Sequence, residues 1–100
     1  MRVCALVSDL MDRSKLGGAI AGVEFVRDAS ACAGADVVIV DLAKSGAAVG
    51  AVRAAAPTAR IVGFGPHVDE GRAATARADG ADVVLPRSRF FRDPAAVLPE

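Results

Sequence analysis

Several short apolar runs in this chain end in groups capable of chemistry. Val37-Val38-Ile39-Val40 runs into Asp41, and Arg2-Val3-Cys4-Ala5-Leu6-Val7 runs into Ser8-Asp9. Arg60-Ile61-Val62-Gly63-Phe64 runs into Gly65-Pro66-His67, and Asp82-Val83-Val84-Leu85 runs into Pro86-Arg87-Ser88. Asp9 and Asp41 together offer a minimal donor set for Mg²⁺, which takes one or two carboxylates plus water. Arg87 brings a permanent charge on a planar fork. A bidentate pair between Arg87 and Asp41 would fill the space that a metal needs beside that carboxylate.

Other groups gather near the same place. His67 is the only histidine. Two readings are open for it: a ligand or catalytic role with Asp69 or Asp9 orienting the ring, or a loop histidine bonded to backbone. The second is favoured, because no nucleophile stands in a recognisable motif nearby. Ser8, Ser45 and Ser88 lie in no nucleophile-elbow pattern. Lys44, Arg87, Arg89 and Arg92, with His67, would attract an anion or an acidic partner, or else form a solvated charged face. Gly63-Phe64-Gly65 lacks the third glycine of a dinucleotide loop, which argues against a flavin or nicotinamide site.

Positioning these groups requires a sheet. Unbroken apolar strands separated by helical stretches read as a parallel sheet covered on both faces. In such sheets the groups just past the carboxyl ends of the strands line the functional crevice. Strands are expected at about 2–7, 23–26, 36–40, 60–64 and 82–85. The first helix is expected over about 10–21, capped by Asp9 or Asp12, with Leu10, Leu16 and Ile20 facing inward and Gly22 as its stop. The stretch 27–35 is shorter than the roughly ten to twelve residues of an ordinary crossover. It reads as one or two helical turns capped by Asp28 or Ser30. Further helices are expected over about 47–56, stopped by Pro57, and over 70–78, capped by Asp69 and closed by Gly80. A short last helix within 89–98 is expected, with Asp93 capping and Pro94 at its start. Right-handed connections then give a three-layer α/β sandwich of flavodoxin-like type, strand order 2-1-3-4-5, with shortened second and last helices.

The totals set limits. One hundred residues make a single domain, 1–100. With 53% hydrophobic but only 4% aromatic residues, the core is Val, Ile, Leu and Ala. The absence of Trp and Tyr argues against a base-stacking platform. Twelve acids balance twelve bases, so there is no electrostatic footprint for nucleic acid or an anionic membrane. No run approaches the roughly 20 apolar residues of a membrane helix. Met1-Arg2-Val3 enters a strand directly, so no cleavable leader is expected. A cytoplasmic location follows from that reading. Cys4 reads as a small buried hydrophobe, and a disulfide with Cys32 is not expected. The Ala-, Arg- and Val-rich composition suggests a bacterial source.

Three stretches resemble the receiver domain of bacterial response regulators, the CheY-like family, over nearly the whole chain. Val7-Ser8-Asp9 is similar to the acidic end of the first receiver strand. Asp36-Val37-Val38-Ile39-Val40-Asp41-Leu42 is similar to the third strand with its phospho-accepting aspartate. Gly80-Ala81-Asp82-Val83-Val84-Leu85-Pro86-Arg87 is similar to the stretch that leads to the receiver lysine. The resemblance implies a phospho-acceptor position at Asp41, a switch-lysine position at Arg87, and a crevice formed with Ser8, Asp9, Lys44, Gly65, His67 and Ser88. The departures point to a degenerate variant. One of two adjacent acids is missing at Ser8-Asp9, Gly65 stands where a hydroxyl belongs, and Arg87-Ser88 stands where Lys and Pro belong.

The expectation is therefore a stand-alone pseudo-receiver that signals by protein–protein interaction, with no enzymatic turnover, no conventional aspartyl phosphorylation and no cofactor. The alternative is a working two-component receiver, phosphorylated on Asp41 by a histidine kinase, with Mg²⁺ held weakly by Asp9 and Asp41. A second alternative is a module that binds a small anion or nucleotide in the Asp9, Asp41, His67 and Arg87 crevice. The resemblance also implies that the last helix–strand–helix face, around Glu70 to Ala78, Val83 and Phe90, meets a protein partner or forms a homodimer.

Overall fold

The computed structural model describes residues 1–66 and 70–99. His67, and Asp69 as the expected cap of the helix over 70–78, lie outside the described residues.

Five strands form one parallel sheet: β1 (Val3–Leu6), β2 (Glu24–Phe25), β3 (Val37–Asp41), β4 (Arg60–Gly65) and β5 (Val83–Pro86), in the order β2-β1-β3-β4-β5. Register is continuous across the middle, with Ala5 opposite Ile39 and Ile39 opposite Val62. The five residues of β3 are all buried, as expected of a central parallel strand. Period-2 alternation divides the core. Cys4, Leu6, Val38, Val40 and Ile61 face one layer, while Val3, Ala5, Ile39, Val62 and Phe64 face the other.

Helix α1 (Leu10–Ala19) begins where the Asp9 carboxylate accepts the Asp12 N–H at 3.0 Å. It ends just before Gly22, whose φ of 77° needs a residue without Cβ. Its buried face is Asp12 and Leu16, continued by Ile20 just past its end. Leu10, expected to face inward, is 79% exposed. The spacing explains this, because 12, 16 and 20 share one helical stripe and position 10 does not. Phe90 and Val97 pack on the same side of the sheet as Leu16 and Ile20.

The crossover after β2 is a single 3₁₀ turn, Ala29–Cys32, in which Asp28 accepts the Ala31 N–H. After β3 the chain differs from expectation. Helix α2 (Leu42–Ser45) starts at once, a 3₁₀ turn (Gly46–Ala48) follows, and α3 (Val49–Ala55) completes the crossover. Asp41 is the cause: its carboxylate caps α2 by accepting the Ala43 N–H at 3.1 Å. Helix α4 (Glu70–Ala78) buries only Ala73 and Ala76. The last helix comes as two pieces, α5 (Arg87–Arg92) and a 3₁₀ turn (Pro94–Val97), with no side-chain cap from Asp93. Cys4 and Cys32 are buried free thiols, and burial is the main cause that pushes Cys32 up to about 11.

Two arginines fasten the amino ends of the strands. Arg2 donates to Glu24, Ala33 O and Ala31 O. Arg53 donates to Gly80 O, Ala59 O and Asp82. Toward the carboxyl ends, where the site lies, packing is close at Gly63: a Cβ at that position would stand 2.9 Å from three Leu42 side-chain carbons. Gly63→Ala is expected to cost about 1–3 kcal/mol in urea unfolding. Adding Leu42→Ala should remove most of that Gly63→Ala increment, which a double-mutant cycle measures directly.

Candidate functional site

Four strand ends converge on the site. β1 delivers Val7, Ser8 and Asp9; β3 delivers Asp41; β4 delivers Gly65; and β5 delivers Arg87 through Pro86. Asp41 is nearly buried. One of its oxygens caps α2. Asp9 caps α1 in the same manner. Both strand-end carboxylates are therefore held by the helices that follow them.

Arg87 does not pair with Asp41, contrary to expectation. It pairs with Asp12, whose side chain is 1% exposed. Nη1 donates to Asp12 Oδ2 at 2.7 Å, and Nη2 donates to Oδ1. The guanidinium also lies 4.9 Å from the Phe91 ring centre and 6.0 Å from that of Phe64. The rings form their own cluster, with Phe64 stacked on Phe90 at 4.8 Å and Phe91 edge-on to both. Phe90, expected on a partner face, is accordingly 1% exposed and is core. The large apolar side chains that are exposed among the described residues are Met1, Leu10 and Met11.

The electrostatics follow this geometry. Hydrogen bonding to Asp12 is the main cause raising the Arg87 pKa, with smaller contributions from the nearby Asp41 and Asp9 charges. Asp9 is held below the usual carboxylate range, chiefly by the Asp12 N–H. The Met11 N–H and the charges of Lys44 and Arg87 act in the same direction. Asp9, Asp41, Lys44 and Arg87 thus lie in one charge neighbourhood. Ser8, Lys44 and Ser88 are exposed around it, and Gly65 is buried beside Pro86 in the β4–β5 ladder. Among the described residues, no group of three or more His, Cys, Asp or Glu side chains is placed to hold a metal. The third carboxylate of the region, Asp12, is occupied by Arg87.

Asp12 is the residue that reading the sequence for function missed. In the sequence it offers itself only as a helix cap. Its place on the 12–16–20 stripe was the available signal, because an acid on a buried helical stripe needs a cationic partner.

Breaking the pair should have unequal effects. Arg87→Ala leaves Asp12 as a buried unpaired carboxylate and is expected to cost about 3 kcal/mol. Asp12→Ala leaves Arg87, itself 37% exposed, able to hydrate, and should cost about 1 kcal/mol. Chemical denaturation of both variants measures the asymmetry. For Asp9 the folded pKa lies below the unfolded value, so its contribution is present above about pH 4 and is lost as pH falls through the folded value. Asp9→Asn should therefore flatten the acid limb of a stability–pH profile.

No family model matches the sequence, and no curated protein is similar to it in sequence. Solved structures are similar in fold. A response regulator from Burkholderia pseudomallei, with a phosphorylated aspartic acid, calcium ion and citrate, superposes with TM-score 0.78 at 17% identity, over 99% of this chain and 67% of that one. A response regulator from Hahella chejuensis gives 0.73 at 24% identity, over 96% and 90%. A CheY-like protein from Pseudomonas aeruginosa gives 0.70 at 18% identity, over 88% and 87%. The β2-β1-β3-β4-β5 parallel sheet with helices on both faces is the arrangement shared with these structures, and this chain has the CheY-like receiver fold.

Proposed function

We propose that this chain is a pseudo-receiver: a signalling domain that acts by protein–protein interaction, without turnover and without conventional aspartyl phosphorylation. The observation behind this reading is the commitment of Arg87 to Asp12. A receiver switch needs a cation at that position free to meet a charge forming on the acceptor aspartate. Here the cation is already neutralised by a buried carboxylate and held over aromatic rings. Gly65 adds to the case, because it has no hydroxyl to contact a phosphoryl group.

The carboxylates that could hold Mg²⁺ are partly engaged already. One oxygen of Asp41 is used as a helix cap, the Asp9 carboxylate caps another helix, and Asp12 is paired. What is left to an ion is the second oxygen of Asp9 and of Asp41, with water completing its shell, and no step is routed through a metal. The output would be docking of a protein partner, or of a second copy, on the α4–β5–α5 side. The exposed positions of α4 there mix Glu70, Arg72, Thr75 and Arg77 with Gly71, Ala74 and Ala78.

A second reading has one observation in its favour. The Burkholderia response regulator carries a phosphorylated aspartic acid, and Asp41 stands at the end of the central strand of the same fold. A histidine kinase would then be the partner, with Asp9 and Asp41 holding Mg²⁺.

Amide NMR with Mg²⁺, then with Mg²⁺ plus beryllofluoride, tests both. The pseudo-receiver reading expects no response at Asp9, Asp41 or Arg87 that requires both additions. Shifts there that need both, and that disappear in Asp41→Asn, would make this a working receiver. Asn retains a side-chain acceptor for the α2 cap, so loss of response in that variant would not reflect loss of the helix.

A further inference from the structure

On the β2 side of the Asp9–Asp41 crevice lies a separate groove of about 360 Å³, with Leu6 and Val26 among its apolar residues and Ser8, Arg13, Arg27 and Ser45 among its polar ones. Of the residues that the strand ends deliver to the crevice, it shares Val7 and Ser8. No carboxylate lines it. From these residues we infer a binding site for a small phosphomonoester.

The two arginines differ in a useful way. Arg13 is already placed. Its Nε donates to Val7 O at 2.7 Å, and its guanidinium lies over the Phe25 ring at 5.2 Å. Those contacts fix the plane of the fork. Its terminal nitrogens have no other protein partner among the described residues, so ordering this side chain costs a ligand little. Arg27 is exposed and forms no ion pair among the described residues. Its neighbour Asp28 accepts instead from Ser30 and the Ala31 N–H. The groove therefore has two uncompensated guanidinium charges.

Geometry and chemistry narrow the ligand. Guanidinium forks match the oxygens of phosphate two at a time. Ser8 adds a hydroxyl from the loop after β1, and Ser45 adds one from the last residue of α2, the short helix that follows β3 directly. Those segments flank the point where strand order reverses, the usual ligand crevice of open α/β sheets. The volume reaches the small-molecule range, which begins at about 300 Å³, and exceeds what a bare phosphate fills. Leu6 and Val26 supply apolar contact for a short organic group on the ester oxygen.

The test is an amide NMR titration of the full chain at fixed ionic strength with chelator present, using inorganic phosphate and glycerol 3-phosphate in separate arms. Saturable shifts at Ser8, Arg13, Arg27 and Ser45, with the monoester binding more tightly, are the expected result. Arg27→Gln should weaken binding about ten-fold and leave the melting temperature unchanged, because the side chain is exposed. Shifts that never saturate, shifts centred on Lys44 and Arg87, or an unaltered affinity in Arg27→Gln would overturn the site. Equal affinity for phosphate and the monoester would overturn the assignment to an ester. Chelation keeps this result independent of the Mg²⁺ and beryllofluoride response.

Discussion

A carboxylate that is 1% exposed dictates much of this molecule. Asp12 sits on the inner stripe of α1, where an ionised group without a partner would carry a desolvation penalty of several kcal/mol. The compensating charge comes from Arg87, distant in sequence, at the tip of the last strand. For Arg87 to reach it, β5 must end beside α1, and α5 must begin without a loop. The rings that support the guanidinium, Phe64 and Phe91, come from β4 and α5. One ionic contact thus ties the first helix to the last, beside the ends of the fourth and fifth strands. The aromatic stack of Phe64 on Phe90 completes the apolar side of that junction.

The same contact decides what the strand ends are able to do. Buried ion pairs contribute little net stability compared with a well-packed apolar pair, and their value lies in fixing geometry. Here the geometry fixed is that of Arg87, which is directed to α1 while Asp41 turns to the first turn of α2. At the amino ends, Arg2 and Arg53 spend their donors on backbone carbonyls and acids. The chain has twelve basic residues, and these three are committed to holding the fold. Arg27 is not committed in this way, so the charge at the β2 edge is left for solvent or a ligand.

The architecture was legible because unbroken apolar runs and helix stops act locally. Val37 to Val40, Gly22 and Gly80 each carry their signal within a few residues. The break of the third crossover into α2, a 3₁₀ turn and α3 was not legible in that way. Asp41 was read for its chemistry, and its second role as a cap, set by the Ala43 N–H two residues on, was passed over. The partner of Arg87 was hidden for a different reason. Charge pairing depends on which faces meet in three dimensions, and Asp41 and Asp12 are equally good acids in sequence. Helical periodicity would have separated them, since Asp12 shares a stripe with Leu16 and Ile20. The same periodicity would have placed Leu10 outside. Phe90 and Phe91 are neighbours in sequence, but only Phe90 stacks face to face on Phe64.

The first turn of α1 carries more of the site than any other segment. Asp9 caps it, Asp12 holds Arg87, and Arg13 reaches back to the Val7 carbonyl and faces the groove at β2. These three side chains point to three neighbourhoods from adjacent positions on one rigid element. All three contacts depend on the placement of that one turn. Leu10 and Met11 stand exposed on the same turn. A ligand in the β2 groove would therefore act on the same element that carries the Asp9 cap and the Asp12–Arg87 pair. That element is the one whose position is set by the buried charge of Asp12.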